Sequence, residues 1–154
     1  MNLNDNPRAG TLCLTCPSLM QDGATADAET TRDFSFAIDG LTYFFTSGDG
    51  DVKLDADNDE TVTTLTTAVF LISVDADLTI SIVKCEEVLN TAIAAGGQVI
   101  QWPVGAEDTC PVGAIKIKNA SASVFTCGTT VLSAANITDT YYNFLAVPAA
   151  PLVL

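Results

Sequence analysis

The chain has 154 residues, of which 48% are hydrophobic and 16% are charged. This composition is too apolar for a disordered chain, and the length is sufficient for one domain with a core. The net charge is −13, with six basic residues and no histidine, which argues against binding to nucleic-acid phosphates or to an anionic membrane surface.

The first 32 residues predict an extended N-terminal arm. Asn, Asp, Pro and Gly interrupt this segment, and its one apolar stretch spans residues 12–20. Such a segment is unsuited to forming a core alone, so we expect it to become ordered only against something else. The N-terminus lacks the basic region and apolar run of a signal peptide. No stretch of the sequence approaches the ~18 apolar residues of a membrane helix.

A β domain is predicted over residues 33–144, and it begins with a hairpin. The sequence Phe34-Ser-Phe-Ala-Ile38 alternates between large apolar and small residues, which is the period of a strand. The Asp-Gly pair at 39–40 is a favoured two-residue hairpin turn. Residues 41–46 then form the return strand.

The middle of the domain predicts two further strands and one helix. Residues 68–74 are almost continuously apolar, which is typical of a strand buried on both faces. Residues 75–77 predict a turn, and residues 78–84 alternate back with a period of two. Residues 85–95 are the one helix candidate, because their apolar residues share one face and two glycines follow.

The last third of the chain predicts more strands and an apolar end. Residues 114–118 alternate cleanly, and residues 124–127 and 129–132 flank Gly128, which indicates a bulge. Residues 145–154 predict a C-terminal apolar arm that two prolines interrupt. The chain is therefore predicted to be all-β, a single compact β-sandwich or barrel-like domain with extended N- and C-terminal arms.

Residues 22–60 hold eleven acidic and two basic residues, a net charge of −9. The simplest interpretation is a solvated face that keeps the protein soluble. Docking onto a basic surface and binding of Ca²⁺ are the alternatives. The acidic spacing that starts at Asp55 resembles a Ca²⁺ loop, but the sixth and twelfth positions hold Glu60 and Thr66 instead of Gly and Glu. We therefore predict that no metal is bound and that the acidic loop residues are mainly exposed, namely Asp49, Asp51, Asp55, Asp57 and Asp59.

The cysteines and the missing histidine limit the chemistry of the chain. Cys13 and Cys16 have the spacing of a zinc-binding pair, but the other three cysteines are isolated and histidine ligands are lacking. Reduced thiols are expected in a protein made in the cytosol, with a metal site or a disulfide as alternatives. Without histidine, a nucleophile elbow or a phosphate-binding loop, we predict no enzyme, no catalytic residue and no cofactor.

Two apolar segments predict contacts with a partner or with the domain itself. One is the stretch within the N-terminal arm, and the other is the aromatic cluster at residues 141–144 together with the C-terminal apolar arm that follows it. Exposed apolar segments of this kind lead to aggregation unless they are packed. The candidate partner-binding residues are Leu12, Leu14, Leu19, Met20, Tyr141, Tyr142, Phe144, Leu152 and Leu154.

Five short motifs of β-prone residues occur along residues 32–144. They are Asp33-Phe-Ser-Phe-Ala-Ile-Asp-Gly40, Val69-Phe-Leu-Ile-Ser-Val-Asp-Ala-Asp77, Pro111-Val-Gly-Ala-Ile-Lys-Ile117, Phe125-Thr-Cys-Gly-Thr-Thr130 and Thr140-Tyr-Tyr-Asn-Phe144. With these motifs the sequence resembles small virion proteins encoded near the capsid genes of tailed phages and prophages.

This resemblance implies an assembly role on a phage capsid. A cement or decoration protein of this type binds the outer capsid surface, often as a homotrimer, and its partner is the major capsid protein. The location would be the virion, and neither nucleic acid nor a membrane would be bound. Alternatives are a virion-attached adhesion module for a host glycan or protein, which would display aromatic residues near Trp102, and a head- or tail-fibre subunit.

Overall fold

The computed structural model describes residues 10–48, 50–54 and 60–145. It contains 45% strand and 4% helix, so the prediction of an all-β fold is confirmed. The elements in chain order are β1 (Leu12–Cys13), β2 (Leu19–Gln21), β3 (Ala28–Thr30), β4 (Phe34–Ile38), β5 (Leu41–Phe45), β6 (Thr61–Val62), β7 (Thr66–Asp75), β8 (Ile80–Lys84), β9 (Val88–Leu89), α1 (Asn90–Ala94), β10 (Thr109–Asn119), β11 (Phe125–Thr126) and β12 (Ile137–Asn143).

A long antiparallel sheet forms the centre of the molecule. Its strand order is β12-β10-β7-β8, and β9 continues along β7 beyond β8. From Thr66 to Val74, every residue of β7 is buried. This burial explains why residues 68–74 lack the alternation of a half-exposed strand.

A shorter sheet of three strands, β1-β4-β5, packs on one face of the long sheet. We call the covered side of the long sheet its inner face. Phe34 and Phe36 of β4 are fully buried there, and their rings stack on Phe45 and Tyr43 of β5. The two stacked sheets make the predicted β-sandwich, with β2-β3 and β6-β11 as small two-stranded ribbons beside it.

The opposite, outer face of the long sheet has a different covering. Residues 85–108, which we call the covering segment, contain β9, α1 and irregular chain. Ile100 and Trp102 of this segment pack on Val69 and Leu71 of β7. Of the helix predicted over residues 85–95, only the five residues of α1 are helical, and Val88 and Leu89 instead form strand β9, which pairs with β7.

The described part of the N-terminal segment belongs to the fold, which differs from the expectation of an arm over residues 1–32. Strand β1 joins the short sheet through β4, and the ribbon β2-β3 lies against the end of the long sheet. The backbone N–H of Leu19 donates to the side-chain oxygen of Asn143 at 2.8 Å. The Leu19 side chain packs where Gly113 has no Cβ, since a Cβ there would lie 2.2 Å from it. Residues 1–9 and 146–154 lie outside the described residues.

Several local predictions can be compared directly with the structure. The hairpin of β4 and β5 is confirmed, with Asp39 and Gly40 both at positive φ in its turn. Strand β8 begins two residues later than predicted, because Leu78 has a φ of 65° in the preceding turn. The strand predicted over residues 129–132 is wrong: Gly128 lies in a turn in which the N–H of Thr130 donates to the Thr126 carbonyl at 2.8 Å.

Candidate partner-binding surface

The structure separates the predicted partner-binding residues into three groups. Leu14 and Met20 are exposed, with 44% and 48% of their surface accessible, and Leu12 is half-buried. Leu19 and Phe144 belong to the buried core, so they are not available on the surface. Tyr141 and Tyr142 are half-buried on opposite faces of the long sheet. Leu152 and Leu154 lie outside the described residues.

Leu14 is one of three large apolar residues that are exposed on the short sheet. Its backbone N–H donates to the Ser35 carbonyl at 2.8 Å, and Ser35 is paired with Phe44 of β5. Phe44 is 57% exposed on the outer side of this sheet, and Leu41, at the start of the same strand, is 65% exposed. We call Leu14, Leu41 and Phe44 the edge patch.

The edge patch includes two residues that the sequence analysis did not select. Both residues lie in the return strand that is predicted over residues 41–46. Two adjacent aromatic residues in a strand must point to opposite faces. Since Phe45 is buried, Phe44 has to point outward. The sequence alone places Phe44 and Phe45 on opposite faces, and only the structure shows which of the two points outward.

The predicted aromatic cluster near the C-terminus packs on its own domain. Trp102 contacts the Tyr142 ring edge-to-face at 5.1 Å and the Phe144 ring at 5.6 Å. Lys116 places its ammonium 5.8 Å from the centre of the Tyr142 ring. Trp102 is only 8% exposed, so it does not form the exposed aromatic surface that the adhesion alternative requires.

Several carboxylates of the acidic segment have partners within the fold, such as Asp27, which pairs with Lys53, and Asp33, which accepts hydrogen bonds from Ser47. Asp51 was predicted to be mainly exposed, but it is half-buried and organises a turn. Its carboxylate accepts hydrogen bonds from the N–H and hydroxyl of Thr30 and from the N–H of Gly48. Asp49, Asp55, Asp57 and Asp59 lie outside the described residues.

The cysteines lie apart from any ligand set in the described structure. Cys13 and Cys110 are buried near each other in the core. Burial raises the pKa of Cys13 to about 11 and that of Cys110 to about 12, so both side chains are neutral thiols at pH 7. Among the described residues, no three cysteines, aspartates or glutamates are grouped closely enough to hold a metal ion.

A polar cluster fixes the start of the covering segment. The Glu87 carboxylate accepts hydrogen bonds from the N–H of Thr63 at 2.9 Å, from the Thr66 hydroxyl at 2.8 Å and from the Lys84 ammonium at 2.7 Å. Burial alone would raise the pKa of Glu87, but the hydrogen bonds outweigh burial and lower its pKa to about 2. All these donors are satisfied within the fold, so the cluster is structural rather than a binding site.

Comparison with family models, with curated proteins and with solved structures gives no match. In the described ranges, no helix is long and apolar enough to cross a membrane.

Proposed function

We propose that this chain is a phage capsid cement or decoration protein. It binds the outer surface of the capsid as a homotrimer, contacts the major capsid protein and stabilises the shell without catalysing a reaction. Its location is then the virion.

The edge patch is the observation that carries this proposal. Leu14, Leu41 and Phe44 expose large apolar surface on a firmly packed sheet, and Met20 exposes more on the neighbouring ribbon. Exposed apolar patches on soluble proteins commonly mark contacts with other proteins. Burying apolar surface contributes ~25 cal/mol per Å², so several copies of a modest contact support firm attachment when a trimer engages several subunits at once.

The motifs that resemble virion proteins support the same proposal. Two of them contain the strands that form the sandwich, since residues 33–40 include β4 and residues 69–77 include most of β7. The resemblance therefore lies in the scaffold that presents the edge patch. The low charged fraction of 16% also suits a protein that buries surface against neighbours.

The test is binding to capsids assembled without this protein, measured by co-sedimentation. Deleting residues 1–20 is unsuitable because it removes the buried side chains of Cys13 and Leu19. Point variants Leu14→Glu and Met20→Glu keep the core, and each is expected to weaken attachment about tenfold, which corresponds to ~1.4 kcal/mol.

Val124→Glu is the matched control, because Val124 is as exposed as Met20 and the substitution adds the same charge. It is expected to bind capsids like the unmodified chain. The proposal is wrong if the unmodified protein does not sediment with capsids.

A further inference from the structure

Strand β5 is an edge strand of the short sheet. One side of it pairs with β4 along all five residues, from Phe34 opposite Phe45 to Ile38 opposite Leu41. Among the described residues, no strand pairs with its other side. An edge of this kind presents unpaired backbone N–H and C=O groups to any extended chain that approaches.

The edge strands β1, β8 and β12 carry features that discourage pairing with another chain, whereas β5 carries none of these features. Strand β1 has only two residues, β8 ends in Lys84, and β12 contains Asp139. Short length and charged side chains are the usual protection of sheet edges. Strand β5 has the sequence Leu-Thr-Tyr-Phe-Phe, with neither a charge nor a proline.

The edge is also held rigidly in place. Tyr43 and Phe45 point inward and stack on Phe36 and Phe34 at ring-centre distances of 5.4 and 5.0 Å. A strand fixed in this way loses little further conformational freedom when a partner strand is added, so binding costs less in entropy. Phe44 then supplies an exposed apolar side chain on the outer side of the sheet, and Leu41 supplies one on the opposite side at the start of the strand. Both can contact side chains of an incoming strand.

The negative charge around β5 indicates that the partner segment is basic. Strand β5 lies within residues 22–60, whose net charge is −9, and exposed Asp39 and Asp33 are near its two ends. The bases nearest in sequence are Lys53, which forms an ion pair with Asp27 at 3.2 Å, and Arg32, which is exposed. Two copies of a chain with a net charge of −13 repel each other, whereas a segment flanked by Lys or Arg is attracted.

From these observations we infer that the free edge of β5 binds an extended, β-prone segment of a partner protein, apolar at its centre and basic at its ends. The segment adds a fourth strand to the short sheet and covers Phe44 and Leu41 of the edge patch. The inference deepens the proposed function by defining the contact, and it rests on that proposal only for the identity of the partner.

The test uses the full chain and the synthetic peptide Lys-Lys-Thr-Val-Thr-Val-Thr-Lys-Lys, with a peptide of the same core flanked by Glu as its counterpart. Backbone amide NMR shifts of the protein are expected to change at β5 and its flanks with the first peptide only. Phe44→Glu is expected to weaken binding about tenfold, or ~1.4 kcal/mol. Val104→Glu, an exposed apolar position in the covering segment on the other side of the molecule, is expected to leave it unchanged.

The Phe44→Glu variant separates strand addition from simple charge attraction. The new carboxylate brings negative charge closer to a basic peptide, so attraction alone predicts tighter binding. Equal or tighter binding by this variant, shifts centred outside β5, or no binding of the basic peptide each overturn the inference. So does a dimer, detected by sedimentation, that Phe44→Glu dissociates, because a second copy would then occupy the edge.

Capsid binding distinguishes this inference from the proposed function. If the peptide binds β5 but the protein does not sediment with capsids, only the proposed function fails. If capsid binding survives Phe44→Glu while peptide binding is lost, the protein attaches through another surface and the inference about its contact fails.

Discussion

The two faces of the long sheet are both buried, but they are covered in different ways. The inner face meets a second sheet, and its buried amide, Asn119, donates to three backbone carbonyls. The outer face meets the largely irregular covering segment. Three of the four buried polar side-chain atoms without a partner among the described residues belong to that side: the hydroxyls of Ser73 and Ser81 and the Trp102 ring nitrogen.

Two faces that are equally buried can therefore contribute differently to the free energy of unfolding. Each buried polar group without a partner costs about 1–3 kcal/mol, which reduces what the apolar contacts of the outer face contribute. The inner face therefore holds the fold, while the covering segment excludes water at a smaller net gain. We expect the outer side to open first when the protein is destabilised.

The largest expected effect compares two neighbouring residues of β7. Ile72 points to the inner face and Leu71 to the outer face, and both are buried. We expect Ile72→Ala to lower the free energy of unfolding by about 4 kcal/mol and Leu71→Ala by about 2 kcal/mol. Urea unfolding monitored by circular dichroism measures both values. An equal or larger loss in Leu71→Ala would remove the distinction between the faces.

The second prediction uses pH to loosen the covering segment. The pKa of Glu87 is about 2 in the folded protein against an ordinary value of 4.5. Its contribution to stability is therefore complete above pH 4.5 and is lost as the pH falls towards 2. Glu87→Gln is expected to cost about 2 kcal/mol at pH 7 and almost nothing at pH 2.

Trp102 is the single tryptophan of the chain, and it lies in the covering segment, so its fluorescence reports this change. The exposed neighbour Glu86 provides the control, since Glu86→Gln should leave the difference between pH 7 and pH 2 unaltered. A tryptophan signal that changes only together with the strand signal in circular dichroism would show that the two faces open as one unit.

The smallest effect concerns the contact of Lys116 with the Tyr142 ring on the outer face. Lys116→Met keeps the length of the side chain and removes its charge. We expect a loss of about 0.5 kcal/mol, the usual size of an exposed cation–π contact. A loss above about 1.5 kcal/mol would mean that the outer face depends on this contact more than its geometry indicates.

Those strands and turns of the sandwich that are specified by neighbouring residues could be predicted from the sequence. The Asp-Gly turn, the apolar run of β7 and the alternation of residues 114–118 depend on neighbouring residues alone. The strand pairing of residues 10–32 could not be predicted, because it depends on partners far along the chain. Leu19, for example, fits the fold only because Gly113 leaves space for it.

The candidate site was predicted only in part. Leu14 and Met20 were selected because they are apolar residues in a polar segment, and both are exposed. Leu19 and Phe144 were selected on the same grounds and lie in the core, because apolar character does not reveal whether a residue meets its own domain or a partner. Leu41 and Phe44 needed the face assignment of β5 and the knowledge that β5 is an edge.

The hydrogen bond between Leu19 and Asn143 joins residues that are 124 positions apart in the chain. A ribosome makes the first of these residues long before the second, so the N-terminal ribbon has no docking site until residue 143 has been made. Closing so long a loop is entropically costly, and folds rich in distant strand pairs form slowly. The newly made chain is thus expected to acquire its final N-terminal packing late in folding.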